Sequence, residues 1–198
     1  LASQPEPFDP MEKAIHRLGS QTLPATEGSR NDWLLVRQYA LSPQLLAMSH
    51  AWKAPEHPYH IVAAKGAPEA IAALCRFDAS QEEGLNLEVN ALAGQGLRVL
   101  AVARQIHEEE TLPEAQQAFG FAFLGLIGLE DPPRADVPEA IRACHESGIR
   151  VVMITGDHAI TARSIARAVG LGGDGPRIVE GRELADLAAR DQADLLRT

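Results

Sequence analysis

The sequence predicts an α/β protein in two parts: an antiparallel β-sheet with flanking helices, then a helix, strand, helix unit of the kind that builds open parallel sheets. Three observations predict it. Short apolar runs separated by turn residues recur between residues 33 and 129, as in a meander. A double proline, Pro132-Pro133, follows them as a stiff connector. Beyond it apolar residues repeat at helical spacing on either side of Val151-Val152-Met153-Ile154. That run is too short for a helix and reads as a strand buried on both faces. The domain boundary is placed at the connector, with residues 1–128 as the first domain and 129–198 as the second.

Asp9-Pro10 is a good N-cap and N1 pair with Glu12 at N3, so a helix starts here. Glu12 reads either as its capping carboxylate or as a carboxylate facing a ligand amino group. Residues 19–32, rich in Ser, Thr, Gly and Asn, read as a loop. Strands follow at 33–41, 48–53 and 59–65, with Glu56-His57-Pro58 as a hairpin loop between the last two. Lys65 ends the third strand and Pro68 starts a helix through Leu74. A lysine so placed can meet a phosphate or the edge of a purine, or can lie solvated before the turn. Residues 85–93 read as a helix stopped by Gly94-Gln95-Gly96, and 97–104 as a strand with Arg98 on its polar face or aimed into a pocket. His107-Glu108-Glu109-Glu110 lacks the second histidine of a zinc-protease motif and reads as solvated charge. Residues 119–129 form a last, glycine-punctuated strand.

In the second part Val137, Ile141 and Cys144 fall at helical spacing, with Asp136 as N-cap, Pro138 in the first turn and Gly148 as the stop. Ala162, Ile165, Ala166 and Val169 mark another helix, closed by Gly170. Between them the strand ends in Thr155-Gly156-Asp157. Ligands of open α/β sheets gather beyond the carboxyl ends of the strands, where helix N-termini leave unpaired amides that attract anions. Thr155 offers a hydroxyl, Gly156 lets backbone come close, and Asp157 can cap the next helix or hold Mg²⁺ through water. Read alone, the tripeptide serves equally well as a turn whose aspartate only caps.

With 198 residues and 45% hydrophobic content, the chain is long and apolar enough for one or two ordinary cores. Its net charge of −9 argues against a nucleic-acid surface, while an anionic nucleotide needs only two or three local cations. Cys75 and Cys144 lie far apart and fit reduced thiols with no disulfide partner. The seven histidines show no metal-ligand spacing, so no metal ligand is assigned. The longest apolar run, 119–129, is eleven residues with three glycines, below the ~20 that span a bilayer. The first residue is Leu1 and the first methionine Met11, which reads as a piece of a longer protein.

Six motifs occur in order: Phe8-Asp9-Pro10-Met11-Glu12-Lys13-Ala14, Ala47-Met48-Ser49, Lys65-Gly66-Ala67-Pro68-Glu69, Gly96-Leu97-Arg98-Val99-Leu100-Ala101, Asp131-Pro132-Pro133-Arg134 and Met153-Ile154-Thr155-Gly156-Asp157-His158. Together they resemble the cytoplasmic headpiece of a P-type ATPase, of the branch with calcium and sodium/potassium pumps. The resemblance implies a nucleotide-binding domain followed by part of a phosphorylation domain, Rossmann-like and of the haloacid dehalogenase superfamily. It implies ATP as ligand and Mg²⁺ as the parent's cofactor. It also implies the membrane and actuator domains of the parent as partners, and a cytoplasmic position in an integral membrane protein. By position, Glu12 would contact the adenine edge, Lys65 with Gly66 would line the purine pocket, and Arg98 would approach the polyphosphate. Asp131 and Arg134 would work at the hinge between domains and near the nucleotide, and Thr155, Gly156 and Asp157 would form the phosphate-facing loop.

The chain departs from the family pattern at informative places. It contains no Asp-Lys pair, so the phosphorylated aspartate of the family's Asp-Lys-Thr-Gly-Thr motif is absent. Gly173-Asp174-Gly175 imitates the start of the later magnesium motif, but no Asn-Asp pair follows. Phosphoryl transfer rests on positioning and metal-assisted charge neutralisation, so such a chain should bind without turning over. Leu41 stands where the family often places a stacking phenylalanine, which predicts weak nucleotide affinity. Two rival readings remain: a fragment of a haloacid dehalogenase-like small-molecule phosphatase, and a non-catalytic nucleotide-binding or interaction module. The first needs an Asp-x-Asp nucleophile that the chain lacks.

Overall fold

Asp9 opens helix α1 (Pro10–Thr22) as its cap signature predicts: its Oδ1 accepts from the amides of Met11 at 2.8 Å and Glu12 at 3.3 Å. In this computed structural model residues 1–4, 6–22, 32–55, 57–173, 175–181 and 183 are described. The helix runs past Gly19, where a loop was expected. Ser20 and Thr22 turn their hydroxyls back onto the Arg17 and Leu18 carbonyls, at 2.9 and 2.7 Å, and so stay in the helix rather than breaking it. The rest of the expected loop, 23–31, lies outside the described residues. So do Glu56 of the expected hairpin loop and Asp174 of the Gly-Asp-Gly lookalike.

Five strands follow one another in space in sequence order: β1 (Leu34–Tyr39), β2 (Ala47–Lys53), β3 (His60–Gly66), β4 (Arg98–His107) and β5 (Ala122–Leu129). The antiparallel meander is as expected, with shifted ends. β4 extends to His107, and β5 starts at Ala122, because Phe119 and Phe121 turn into the core ahead of it. Helix α2 (Pro68–Leu74) begins on the proline as predicted. Helix α3 (Ala79–Ala93) begins six residues before the expected 85, because Asp78 and Gln81 form a reciprocal capping box. The Gln81 amide donates to Asp78 Oδ1 at 2.9 Å, and the Asp78 amide to Gln81 Oε1 at 3.0 Å. Gly96, at φ 83°, terminates it.

Cross-strand partners share a face, so the registers divide the sheet into two surfaces. Ala47, Ala51, Val62, Ala64, Ala101 and Ala103 face the main core, where they meet Ile71 and Leu74 of α2 together with Phe119 and Phe121. The short alanine side chains leave room for α2 and the phenylalanines. Tyr39 and Phe119 meet edge to face at 5.5 Å, and the Tyr39 hydroxyl donates to the Pro113 carbonyl at 2.6 Å. The register Met48↔Lys65↔Val102 and His50↔Ala63↔Arg104 defines the opposite surface.

The chain divides into two compact units, Leu1–Val89 with Val99–Leu129, and Asn90–Arg98 with Glu130–Thr198. In the second, the predicted helices form as α4 (Val137–Glu146) and α5 (Ala159–Ala168), stopped by Gly148 and Gly170 at φ 72° and 75°. Asp136 precedes α4 as expected, but its carboxylate takes the Arg134 guanidinium at 3.3 Å instead of the helix amides. The expected strand at 151–154 is corrected. Val151 and Met153 pack against the cluster of Ala166, Val169 and Leu171, while Val152 and Ile154 are 68% and 94% exposed. No described residue pairs with this run as a ladder, and a parallel strand is held only by such neighbours. It is therefore an extended segment with one face covered, and the described residues form no parallel Rossmann-like sheet.

Candidate functional site

Lys65 stands near the end of β3 on the surface opposite the main core. It is not solvated. Its ammonium contacts the Glu12 carboxylate from α1 and donates to Ser3 Oγ at 2.9 Å. The side chains of Lys65 and Glu12 are only 10% and 14% exposed. Asp9 already serves the first amides of α1, so Glu12 is released from capping and turns to the sheet. Lys65 also borders a cavity of about 290 Å³, lined by Ile15, Trp33, Ala63, Val102 and Arg104 among others. That volume lies at the lower end of ligand pockets, and its mainly apolar wall with a few converging polar groups is the usual pattern of one.

Residues 1–3 are tied across this surface. Trp52 Nε1 donates to the Leu1 carbonyl at 2.9 Å, and His50 Nδ1 donates to the Ser3 carbonyl at 3.3 Å. Burial pushes the His50 imidazole below its ordinary pKa, against the opposing effect of the Ser3 bond. Burial does the same to His60, whose Nδ1 has no partner among the described residues. Unfolded imidazoles take up protons near pH 6.5 while these two resist, so the unfolded state binds more protons below that pH. Stability is therefore expected to fall as pH drops from 7.5 to 5.5, by up to roughly 1.4 kcal/mol per histidine per unit. Urea denaturation at the two pH values measures this, and His50→Gln should reduce the slope. A midpoint independent of pH would remove the assignment.

Of the other expected site residues in this unit, Leu41 is 57% exposed and does not line the cavity. Gly66 is pressed against β2. A Cβ there would meet the Leu46 carbonyl and lie 2.6 Å from Ala47 Cα, so strand approach by itself demands glycine. In the second unit Thr155 Oγ1 donates to Asp157 Oδ2 at 2.7 Å and accepts from the Asp157 amide at 3.0 Å. Asp157 thus closes a small loop, and α5 is capped instead by His158, whose Nδ1 accepts from the Ile160 amide at 3.3 Å. Gly156 is open: a Cβ there would meet nothing within 4 Å. Arg98 Nε lies 3.9 Å from Asp157 Oδ1, both partly solvated, so their attraction is weak. Asp131 and Arg134 are exposed, and Arg134 pairs with Asp136.

The structure therefore brings together Glu12 with Lys65, and Arg98 with Thr155 and Asp157. Among the described residues no group of three His, Cys, Asp or Glu side chains converges. Magnesium, which the resemblance implies for the parent, would need carboxylates beyond Asp157. Sequence reasoning missed Ser3 and Arg104. Ser3 carries no local signal, whereas Arg104 lies two residues from Val102 and so on the same face once the β3–β4 register is known.

The family described as P-type ATPase, cytoplasmic domain N, matches residues 8–136. The chain belongs to that family. The match takes in Glu12, Leu41, Lys65, Gly66, Arg98, Asp131 and Arg134 and leaves Thr155, Gly156 and Asp157 outside. This N-domain chain is also 34% identical over 173 residues to the sodium/potassium exporting P-type ATPase cta3 of Schizosaccharomyces pombe. The similarity covers 82% of the chain and 17% of that relative, so the N-domain chain spans about a sixth of the curated relative it matches. The phosphatase reading is not favoured by either similarity. No described helix is long and apolar enough to cross a membrane.

Proposed function

We propose that this chain is the ATP-binding cytoplasmic part of a cation-transporting P-type ATPase, whose parent couples ATP hydrolysis through an aspartyl-phosphate to ion transport. The observation that carries this reading is the largely buried Glu12–Lys65 pair, whose lysine lines an apolar cavity, inside the span matched by the N-domain family. A carboxylate accepts from an amino group and an ammonium donates to a ring nitrogen, so the pair suits the hydrogen-bonding edge of adenine. The apolar wall suits the ring itself. Gly66 stands beside Lys65, and Leu41, though it does not line the cavity, would offer the base an aliphatic face from outside it. Arg98 would approach the polyphosphate. Asp131 and Arg134 would act at the hinge between a nucleotide domain, 1–128, and a partial Rossmann-like phosphorylation domain, 129–198. Thr155, Gly156 and Asp157 would face the transferred phosphate.

With no Asp-Lys pair in the chain, the phosphorylated aspartate would belong to another part of the parent, as would the membrane and actuator domains. The chain itself would bind ATP and leave Mg²⁺-dependent chemistry to the whole. Titrating it with ATP and with GTP while following amide shifts tests the reading. ATP-selective perturbation at Glu12, Lys65 and Arg98 supports it, and silence with both nucleotides supports an interaction module instead. Leu41→Phe should tighten ATP by about 0.5–1.5 kcal/mol in calorimetry, the worth of an aromatic contact beyond area burial. Unchanged affinity would remove Leu41 from the pocket.

A further inference from the structure

We propose that Ser3 is a positioning residue for Lys65, its hydroxyl fixing the ammonium beside Glu12 so that one N–H of the lysine is kept for an acceptor on the base. This rests on the adenine-binding reading of the cavity and deepens it with a residue outside the expected set. A lysine ammonium carries three donors on a flexible four-carbon stem. Ordering such a side chain at the moment of binding costs affinity, and ordering it beforehand removes that cost. Lys65 is ordered in this way. Glu12 takes one donor and Ser3 Oγ takes a second at 2.9 Å, which leaves the third. Glu12 supplies the opposite charge, and Ser3 supplies the second direction that fixes where the third donor lies.

Ser3 can act so because its own backbone is clasped. His50 and Trp52 alternate along β2 and share a face with Met48, the register partner of Lys65. Trp52 Nε1 holds the Leu1 carbonyl at 2.9 Å, and His50 Nδ1 holds the Ser3 carbonyl at 3.3 Å. Ser3 is thereby left only 6% exposed. Leu1, Ala2 and Ser3 also line the cavity that Lys65 lines, so one short segment both walls the cavity and holds its ammonium. Neither backbone bond uses the Ser3 hydroxyl. Ser3→Ala therefore deletes the contact to Lys65 and leaves the segment in place.

The test measures adenosine and ATP binding by calorimetry to the 198-residue chain and to Ser3→Ala, with NMR spectra of both proteins before nucleotide is added. Loss of the hydrogen bond that orders the ammonium should weaken adenosine and ATP by the same factor, roughly three- to tenfold, because the lysine meets the base that both share. The Lys65 ammonium protons should exchange with water faster in the variant. The Trp52 indole N–H signal should stay in place, because its bond to Leu1 is untouched. A displaced Trp52 signal alongside weaker binding would mean that the segment has come loose, and a merely structural role would replace the proposed one. Unchanged affinity, or weakening of ATP alone, overturns the role of Ser3 while leaving the base site standing. If the wild-type chain binds neither adenosine nor ATP, the cavity reading falls and this role with it.

Discussion

Gly66→Ala is expected to destabilise the chain by about 3 kcal/mol or more, as an added atom forced against backbone cannot be relieved by a rotamer change. The Cβ would press on the Leu46 carbonyl and on Ala47 Cα at 2.6 Å. Neither can yield easily. The Leu46 carbonyl accepts from the Ala67 amide at 2.9 Å, and Ala47 is fully buried in the core cluster. Relief would require β2 and β3 to separate where Ala47 pairs with Gly66. Gly84→Ala is the control, in the middle of α3 with nothing within 4 Å of its Cβ. It should stabilise by about 0.5–1 kcal/mol through helix propensity. Urea denaturation of both variants measures the contrast. A Gly66→Ala protein as stable as wild type would show that the strands do not approach as described, and would return the glycine to a purely ligand-facing role.

The second large effect concerns the Glu12–Lys65 pair. Removing either partner leaves a charge in a place where only about a tenth of the side chain reaches water. Surface pairs contribute up to about 1 kcal/mol, and breaking a fully buried one costs roughly 3–5. Glu12→Gln is therefore expected to cost on the order of 2–3 kcal/mol, between those limits. Lys65→Met, which leaves Glu12 without its ammonium, should cost a similar amount. The double variant Glu12→Gln with Lys65→Met should recover much of the loss, because no unpaired charge then remains. Nucleotide binding should not recover with it, since the proposed adenine contacts are gone. Additive losses in the double variant would mean that the two side chains act independently and that their contact does not govern stability. Nucleotide binding retained by the double variant would separate the pair from the ligand site.

Much of the fold was legible because its causes are local. Asp9-Pro10, Pro68, Gly96, Gly148 and Gly170 start and stop helices through the backbone conformations and caps that their own side chains permit. The meander was readable from apolar runs between turns. Errors arose where a local signal went unweighed or where a neighbour was required. The Asp78–Gln81 capping box, three residues apart, starts the helix six residues before the apolar spacing alone does. The loop expected from Gly19 ignored back-bonding by Ser20 and Thr22. Of the two roles the sequence offers Asp157, a helix cap or a Mg²⁺ holder, the cap is taken instead by His158 one residue later, while the Asp157 carboxylate accepts the Thr155 hydroxyl.

The sequence by itself determined which residue types stand at each turn, cap and strand end, and through six ordered motifs it pointed to the family that the chain belongs to. Tertiary structure alone decided which side chains meet. Glu12 and Lys65 are 53 residues apart, and either could have been a solvated group until α1 was laid across the sheet. Val152 and Ile154 looked buried because valine and isoleucine usually are, yet burial belongs to the space between elements, and no described strand lies there. Periodicity along a chain fixes a face for each residue. What that face touches is set by register and by neighbours distant in sequence, which no local pattern contains.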